Sequence, residues 1–303
     1  MNSRVTIPTT ADVRLAADRI RPYVRNTPLL RTDVDGRPVL LKLEQLQRTG
    51  SFKLRGAVNA LLAGQRPERV VTSSGGNHGI AVATSASLLG LPATVYVPTS
   101  VPEGKARRIE STGARLIRYG NTYAEASAQA LAEASVPGTK HLPAYDHPDV
   151  VAGQGTVTAE VITEVPEVDT IAVAIGGGGL MAGTVLAADG RRVIGVEPEN
   201  CRSMHDGLAA GEPVDSRVDS IAASALGASR VGQVPFAVVR SRVDSVLVND
   251  PAIVSARDRL WDEFRIAAEP AAAAPLAALL AGAVPGELPC LVICGANTDW
   301  RPM

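Results

Sequence analysis

Thr49-Gly50-Ser51-Phe52-Lys53-Leu54-Arg55-Gly56-Ala57 is the stretch whose reading decides the fold. Val39 to Glu44 precede it as a short apolar run, which predicts a buried strand. Val58, Leu61 and Leu62 follow at helical spacing, so the stretch joins a strand to a helix. Ser51 is placed to cap that helix, its hydroxyl accepting from an orphan amide of the first turn. Lys53 then falls in the first turn, where a cation opposes the positive end of the helix dipole. An anionic ligand beside it removes the conflict. So does a lysine kept neutral or engaged with a carbonyl group, because a desolvated lysine amine is a nucleophile. A plain surface lysine at a helix start fits the same residues.

Outward from this junction the chain alternates. Thr10 is expected to cap a first helix carrying Val13, Ala16, Ala17 and Ile20. Strands are expected at Arg69–Thr72, Ala93–Val97 and Ala114–Ile117, with helices at Ile80–Leu89, Lys105–Glu110 and Tyr123–Ala134. The same rhythm continues through Thr170–Ile175, Leu180–Ala188 and Arg192–Val196. Helices at Ile253–Phe264 and Ala271–Leu280 and a strand at Leu288–Cys294 close the chain, with Pro275 expected to kink or restart its helix. Strand–helix alternation predicts an α/β fold with a parallel sheet covered by helices. Glu212 to Arg242 gives no clear pattern.

With 303 residues the chain is long enough for two lobes or one large α/β unit. A formal net charge of -1 and 3% aromatics argue against nucleic-acid and acidic-membrane partners. Cys201, Cys290 and Cys294 form neither a disulfide framework nor a paired zinc spacing. The polar start has no signal-like apolar region and no apolar run reaches spanning length, so a reducing cytoplasm is expected.

Three junctions carry chemistry. Gly176-Gly177-Gly178-Gly179 lies between a strand and a helix, where glycines let backbone amides converge on a phosphate. It lacks the lysine and hydroxyl of a Walker loop, and Glu197 is a poor match for a dinucleotide's acidic ribose partner. A small phosphorylated cofactor or substrate is therefore expected. Ser73-Ser74-Gly75-Gly76-Asn77-His78-Gly79 offers amides, hydroxyls and a carboxamide to an anion such as a carboxylate, and reads equally as an ordinary turn. Cys294-Gly295-Ala296-Asn297 follows the last strand, where open α/β sheets bind ligands, although a buried structural cysteine fits too.

Taken in order along the chain, these features resemble the fold type II pyridoxal-phosphate enzymes, and within them the serine/threonine dehydratases. The resemblance is carried by Thr27-Pro28-Leu29, Glu44 to Ala57, Ser74 to His78, and His147-Pro148 through Gly153-Gln154-Gly155-Thr156 to Ile162. The glycine run, Gly195-Val196-Glu197-Pro198 and Glu269-Pro270-Ala271 complete it. It implies a two-lobed fold, with residues 1–66 and 146–303 forming a large cofactor-binding domain and 67–145 a small mobile one. Lys53 would hold pyridoxal 5'-phosphate covalently and later take the Cα proton. Phe52 would pack on the ring, Asn77 would bond the ring oxygen, and Cys294 would face the ring nitrogen. Gly176, Gly177, Gly178, Gly179 and Leu180 would supply phosphate-binding amides; Ser74, Asn77 and His78 would hold the substrate carboxylate.

The reaction implied is loss of water from L-threonine, L-serine or a related 3-hydroxy amino acid, giving a 2-oxo acid and ammonia. Other β-elimination, β-replacement and racemase activities of the fold are the alternatives. Gly75 stands where racemases of the family carry a serine, which ranks racemisation lower. Ser203 stands where metal-binding members carry an aspartate, so no metal is expected and Glu197 is read as an exposed carboxylate. A homodimer is implied by the resemblance, and no regulatory domain is expected after the last strand.

Overall fold

The computed structural model describes residues 5–240, 242–298 and 300. Ten strands are assigned among them: β1 (Leu29–Val34), β2 (Arg37–Lys42), β3 (Arg69–Ser73), β4 (Ala93–Val97), β5 (Arg115–Arg118), β6 (Thr139–His141), β7 (Thr170–Ala174), β8 (Arg192–Pro198), β9 (Asp244–Val248) and β10 (Pro289–Val292). They form two sheets, in the orders β1-β2-β10-β7-β8-β9 and β5-β4-β3-β6. Every pairing is parallel except the β1–β2 hairpin. Helices cover the sheets, as parallel strands buried on both faces require.

β7 and β10 are buried along their whole length and read as continuous apolar runs, Thr-Ile-Ala-Val-Ala and Pro-Cys-Leu-Val. The helices beside them are alanine-rich, which lets them approach closely. Pro270–Leu280 runs through Pro275 as one buried helix, so the expected restart does not occur. The hairpin was not anticipated. Its turn, Asp35-Gly36, has both residues at positive φ, the two-residue geometry that matches strand twist.

The first helix is Thr10–Ile20, and its cap is Thr9, not Thr10. Thr9 Oγ1 accepts from the Asp12 amide, and the Asp12 carboxylate answers the Thr9 amide. Thr10 instead donates its hydroxyl to the Leu186 carbonyl at 2.6 Å. The least readable stretch holds two short helices, Ala223–Leu226 and Gln233–Val239. The carboxyl ends of β3, β7 and β10 run into the three junctions named above.

Candidate active site

The helix Lys53–Leu62 starts where expected, with Lys53 as its first residue. Its cap differs from expectation. Phe52 is the capping residue in helical geometry, and no side chain caps the helix. Ser51 is drawn out of the helix by a bridge to Gly295, and its buried hydroxyl has no hydrogen-bond partner. The Phe52 amide donates to the Cys294 carbonyl at 3.1 Å, which ties the lysine helix to the end of β10.

Lys53 Nζ donates to the Ala144 carbonyl at 2.9 Å and lies 5.2 Å from the centre of the Phe52 ring. Enclosure by protein lowers its pKa to about 8; Cys294 and Glu269 oppose that shift through their charge. The shift raises the neutral fraction near physiological pH above that of an ordinary lysine, which suits both attack on a carbonyl and proton abstraction.

Behind this helix sits a closed set of charges. Arg55 donates twice to Glu44, at 2.8 and 2.7 Å, and twice to Glu160, at 2.7 and 2.8 Å. Lys42 completes it, donating to Glu160 and to the Thr27 carbonyl, both at 2.7 Å. Burial pushes the Glu44 carboxyl up, but the Arg55 guanidinium, Lys42 and Thr27 together outweigh it and hold the group below its ordinary value.

In front lies a cavity of about 490 Å³. It is lined by Phe52, Lys53, Ser74 to His78, Gly176 to Leu180 and Cys294, so every sequence-derived site residue meets there. Tyr145, Glu269 and the Ala223–Ala228 segment also line it, and none of these had been given a role.

The glycine run lies at the cavity as a tight strand-to-helix turn. Gly178 caps the helix Gly179–Ala187 at φ 91, a conformation side chains resist. At Gly177 a Cβ would fall 2.2 Å from the Tyr145 ring, so the ring and the loop exclude any side chain between them. The first amides of that helix have no partner within it, as at any helix start, and are suited to an anion.

In the second loop the His78 ring is a satisfied core group. Burial pushes its pKa down to about 3, so the ring is neutral. Its Nε2 lies 2.9 Å from the Leu142 carbonyl and 3.0 Å from Thr72 Oγ1. A carbonyl only accepts, so that nitrogen carries the proton and spends it internally. His78 keeps its backbone amide, near the start of the helix Asn77–Leu88, for a carboxylate. Asn77 donates to Glu269 at 2.7 Å and accepts from Asn297 at 2.7 Å. Burial raises the Glu269 carboxyl to about 7, the Asn77 hydrogen bond opposing. Burial likewise pushes the Cys294 thiol up, which keeps it protonated.

Glu197 is buried, contrary to its reading as exposed. Its carboxylate accepts from the Met204 and His205 amides, both at 2.9 Å, and from Ser245 at 3.0 Å. It is spent on the start of the helix Ser203–Ala210. Among the described residues no group of three or more metal-ligating side chains is found.

A half-buried amine shares one cavity with a glycine turn, a carboxamide and a thiol, an arrangement suited to a phosphorylated aldehyde, and comparison with known proteins decides the family. Residues 20–295 match the model of one family, described as "Pyridoxal-phosphate dependent enzyme". The chain belongs to that family. This pyridoxal-phosphate enzyme is 36% identical to L-threo-3-hydroxyaspartate ammonia-lyase of Saccharomyces cerevisiae, over 97% of this chain and 95% of that one. It is 38% identical to L-threonine ammonia-lyase of Geobacter sulfurreducens, over 95% of this chain and 75% of that one. The solved structure of maize serine racemase superposes with a TM-score of 0.91 at 31% identity, covering 97% of this chain and 95% of that one.

The residues present fit the cofactor. Lys53 meets the need for a primary amine, and the cradle, closed to side chains by Tyr145, meets the need for a phosphate site. Asn77 and Cys294 line the same cavity for the polar edges of the ring. Among the described residues no helix is long and apolar enough to cross a membrane.

Proposed function

We propose that this pyridoxal-phosphate enzyme is an ammonia-lyase that removes water from L-threonine, L-serine or a related 3-hydroxy amino acid, 3-hydroxyaspartate included. The observation that carries the proposal is the Lys53 amine, 2.9 Å from the Ala144 carbonyl, in one cavity with the glycine cradle and the Ser74–His78 loop. The bound cofactor supplies an electron sink for the charge left at Cα.

The chain's own residues do the rest. Gly176 to Gly179 and Leu180 hold the phosphate through backbone amides. Phe52 packs beside the ring, and Asn77 donates to its oxygen. Ser74 and the backbone amides of Asn77 and His78 hold the substrate carboxylate, which orients the Cα–H bond. The Lys53 amine takes that proton. Cys294, kept protonated by burial, offers the ring nitrogen no negative charge, which favours prompt loss of the β-hydroxyl over storage of charge in the ring. Gly75 has no side chain to return a proton from another direction, which favours elimination over racemisation.

The similarity to maize serine racemase supports racemisation as a second reading. In either case the segment 67–145, which holds the four-stranded sheet, acts as a mobile lobe closing on the substrate. The enzyme works as a cytoplasmic homodimer. Its free, buried cysteines suit a reducing compartment, and sedimentation of the holoenzyme tests the dimer.

The deciding experiment incubates the cofactor-loaded protein with L-serine, L-threonine and L-threo-3-hydroxyaspartate and follows 2-oxo acid and ammonia in equal amounts. Turnover of at least one is expected. Absence of 2-oxo acid from all of them, with D-amino acid formed instead, would favour the racemase reading.

A further inference from the structure

Thr49, Asn77, Glu269 and Asn297 come from separate segments and meet in one hydrogen-bonded line. Asn297 Nδ2 donates to the Thr49 carbonyl at 2.8 Å and to Asn77 Oδ1 at 2.7 Å. Asn77 Nδ2 donates to Glu269 Oε1 at 2.7 Å. Both outer members are anchored by backbone. The Glu269 amide donates to the Gly295 carbonyl at 3.1 Å, and the Ala296 amide to the Gly50 carbonyl at 2.9 Å. A Cβ on Gly295 would fall 2.3 Å from Glu269 Oε1, so a glycine is required beside the carboxylate.

The line has one direction. A backbone carbonyl only accepts, so the Asn297 atom facing Thr49 is the amide nitrogen. That nitrogen gives its other proton to Asn77, so the Asn77 oxygen faces it. The Asn77 nitrogen must then face Glu269, whose oxygen accepts whether the carboxyl is ionised or not. One Asn77 proton remains unspent, and Asn77 lines the cavity with Lys53. Turning the carboxamide over would set donor against donor at Asn297, and oxygen against oxygen at Glu269 whenever that carboxyl is ionised.

We propose that Glu269 and Asn297 are positioning residues that lock Asn77 as a donor, and only a donor, toward the ring oxygen of the bound cofactor. This rests on the reading of the cavity as the pyridoxal-phosphate site. A donor held in place serves an anionic oxygen best, because hydrogen bonds to charged acceptors are the strong ones. Neither residue touches reacting atoms in this role; both act through Asn77.

The test is a titration of cofactor-free protein with pyridoxal phosphate, read by visible absorption, in Asn297→Asp, Asn297→Ala, Glu269→Ala and Glu269→Gln. The first three break the line. Their affinity for the cofactor is expected to fall roughly tenfold to a hundredfold, as for loss of a hydrogen bond to a charged group, and the visible band to shift. Glu269→Gln still offers Asn77 an acceptor and is expected to restore both affinity and band position. Melting temperatures of the cofactor-free variants are measured in parallel. A loss confined to melting temperature, with affinity and band unchanged, would overturn the proposal, as would Gln behaving like Ala at position 269. If the unaltered protein itself takes up no cofactor, the reading of the cavity fails rather than the positioning role.

Discussion

The two sides of the helix Lys53–Leu62 handle buried charge in opposite ways. Behind it, Glu44, Arg55, Glu160 and Lys42 answer one another at 2.7–2.8 Å, two anions against two cations. In front, Lys53 bonds to a carbonyl and Glu269 to a carboxamide, so the half-buried amine and the buried acid do not discharge each other. Burial acts on both sides. Behind, the Arg55 guanidinium, Lys42 and Thr27 together override it and Glu44 stays below its ordinary range. In front, burial dominates, and Lys53 and Glu269 are moved to about 8 and about 7. Paired charges hold the helix in place. Charges left without ionic partners titrate near neutrality, where they can move protons.

The largest effect expected is on the front side. Lys53→Ala should lower 2-oxo acid formation by more than the roughly 10²–10⁴ that a general base alone contributes, without lowering the denaturant midpoint. Behind the helix the balance reverses. Arg55→Ala leaves two carboxylates facing an empty place, and urea unfolding should show a loss of about 3–5 kcal/mol. If Arg55→Ala unfolds no more easily than the parent protein, the distinction between the two sides does not hold.

The pH dependence of the cofactor-free protein sharpens the comparison. Lys53 has an ordinary pKa of 10.5 and a folded value of about 8. Between them the unfolded chain binds the extra proton, so this group adds a rise in stability from about pH 8 to 10.5, which Cys290 and Cys294, pushed up by burial, oppose above about pH 9. Lys53→Met should abolish that rise. Glu269 moves from an ordinary 4.5 to about 7, so the folded state holds the extra proton and stability should fall across that interval. Glu269→Gln should remove part of the fall; Glu197, also raised to about 7 by burial, adds to it, and His78, held down at about 3, opposes it up to about pH 6.5. Denaturant midpoints measured across pH 4–11 check both signs.

The smallest effect concerns Gly75. A Cβ there would fall 2.8 Å from Val101 Cγ2, and a β-branched neighbour yields poorly. Gly75→Ser alone is expected to leave the ratio of racemisation to elimination nearly unchanged. Gly75→Ser combined with Val101→Ala should raise it, measured by chiral chromatography of residual substrate.

The lysine stretch, the glycine cradle and the βα rhythm were legible in sequence because each rests on local rules: apolar periodicity, glycine freedom and helix starts. The β1–β2 hairpin was legible too, in Asp35-Gly36 between apolar runs, but Thr27-Pro28-Leu29 was read only as a motif. Other features depended on distant chain. Ser51 has the right chemistry for a cap, and a bridge to Gly295 withdraws it. Glu197 reads as an exposed carboxylate until the helix Ser203–Ala210 brings amides to it. Tyr145 and Glu269 gain meaning only when folding sets them against Gly177 and Asn77.

The most direct test is covalent. The holoenzyme is reduced with borohydride, digested, and its peptides weighed by mass spectrometry. A pyridoxyl phosphate adduct on the peptide containing Lys53, absent from Lys53→Ala, is the expected result. An adduct on another lysine, or no adduct in a protein saturated with the cofactor, would contradict the account.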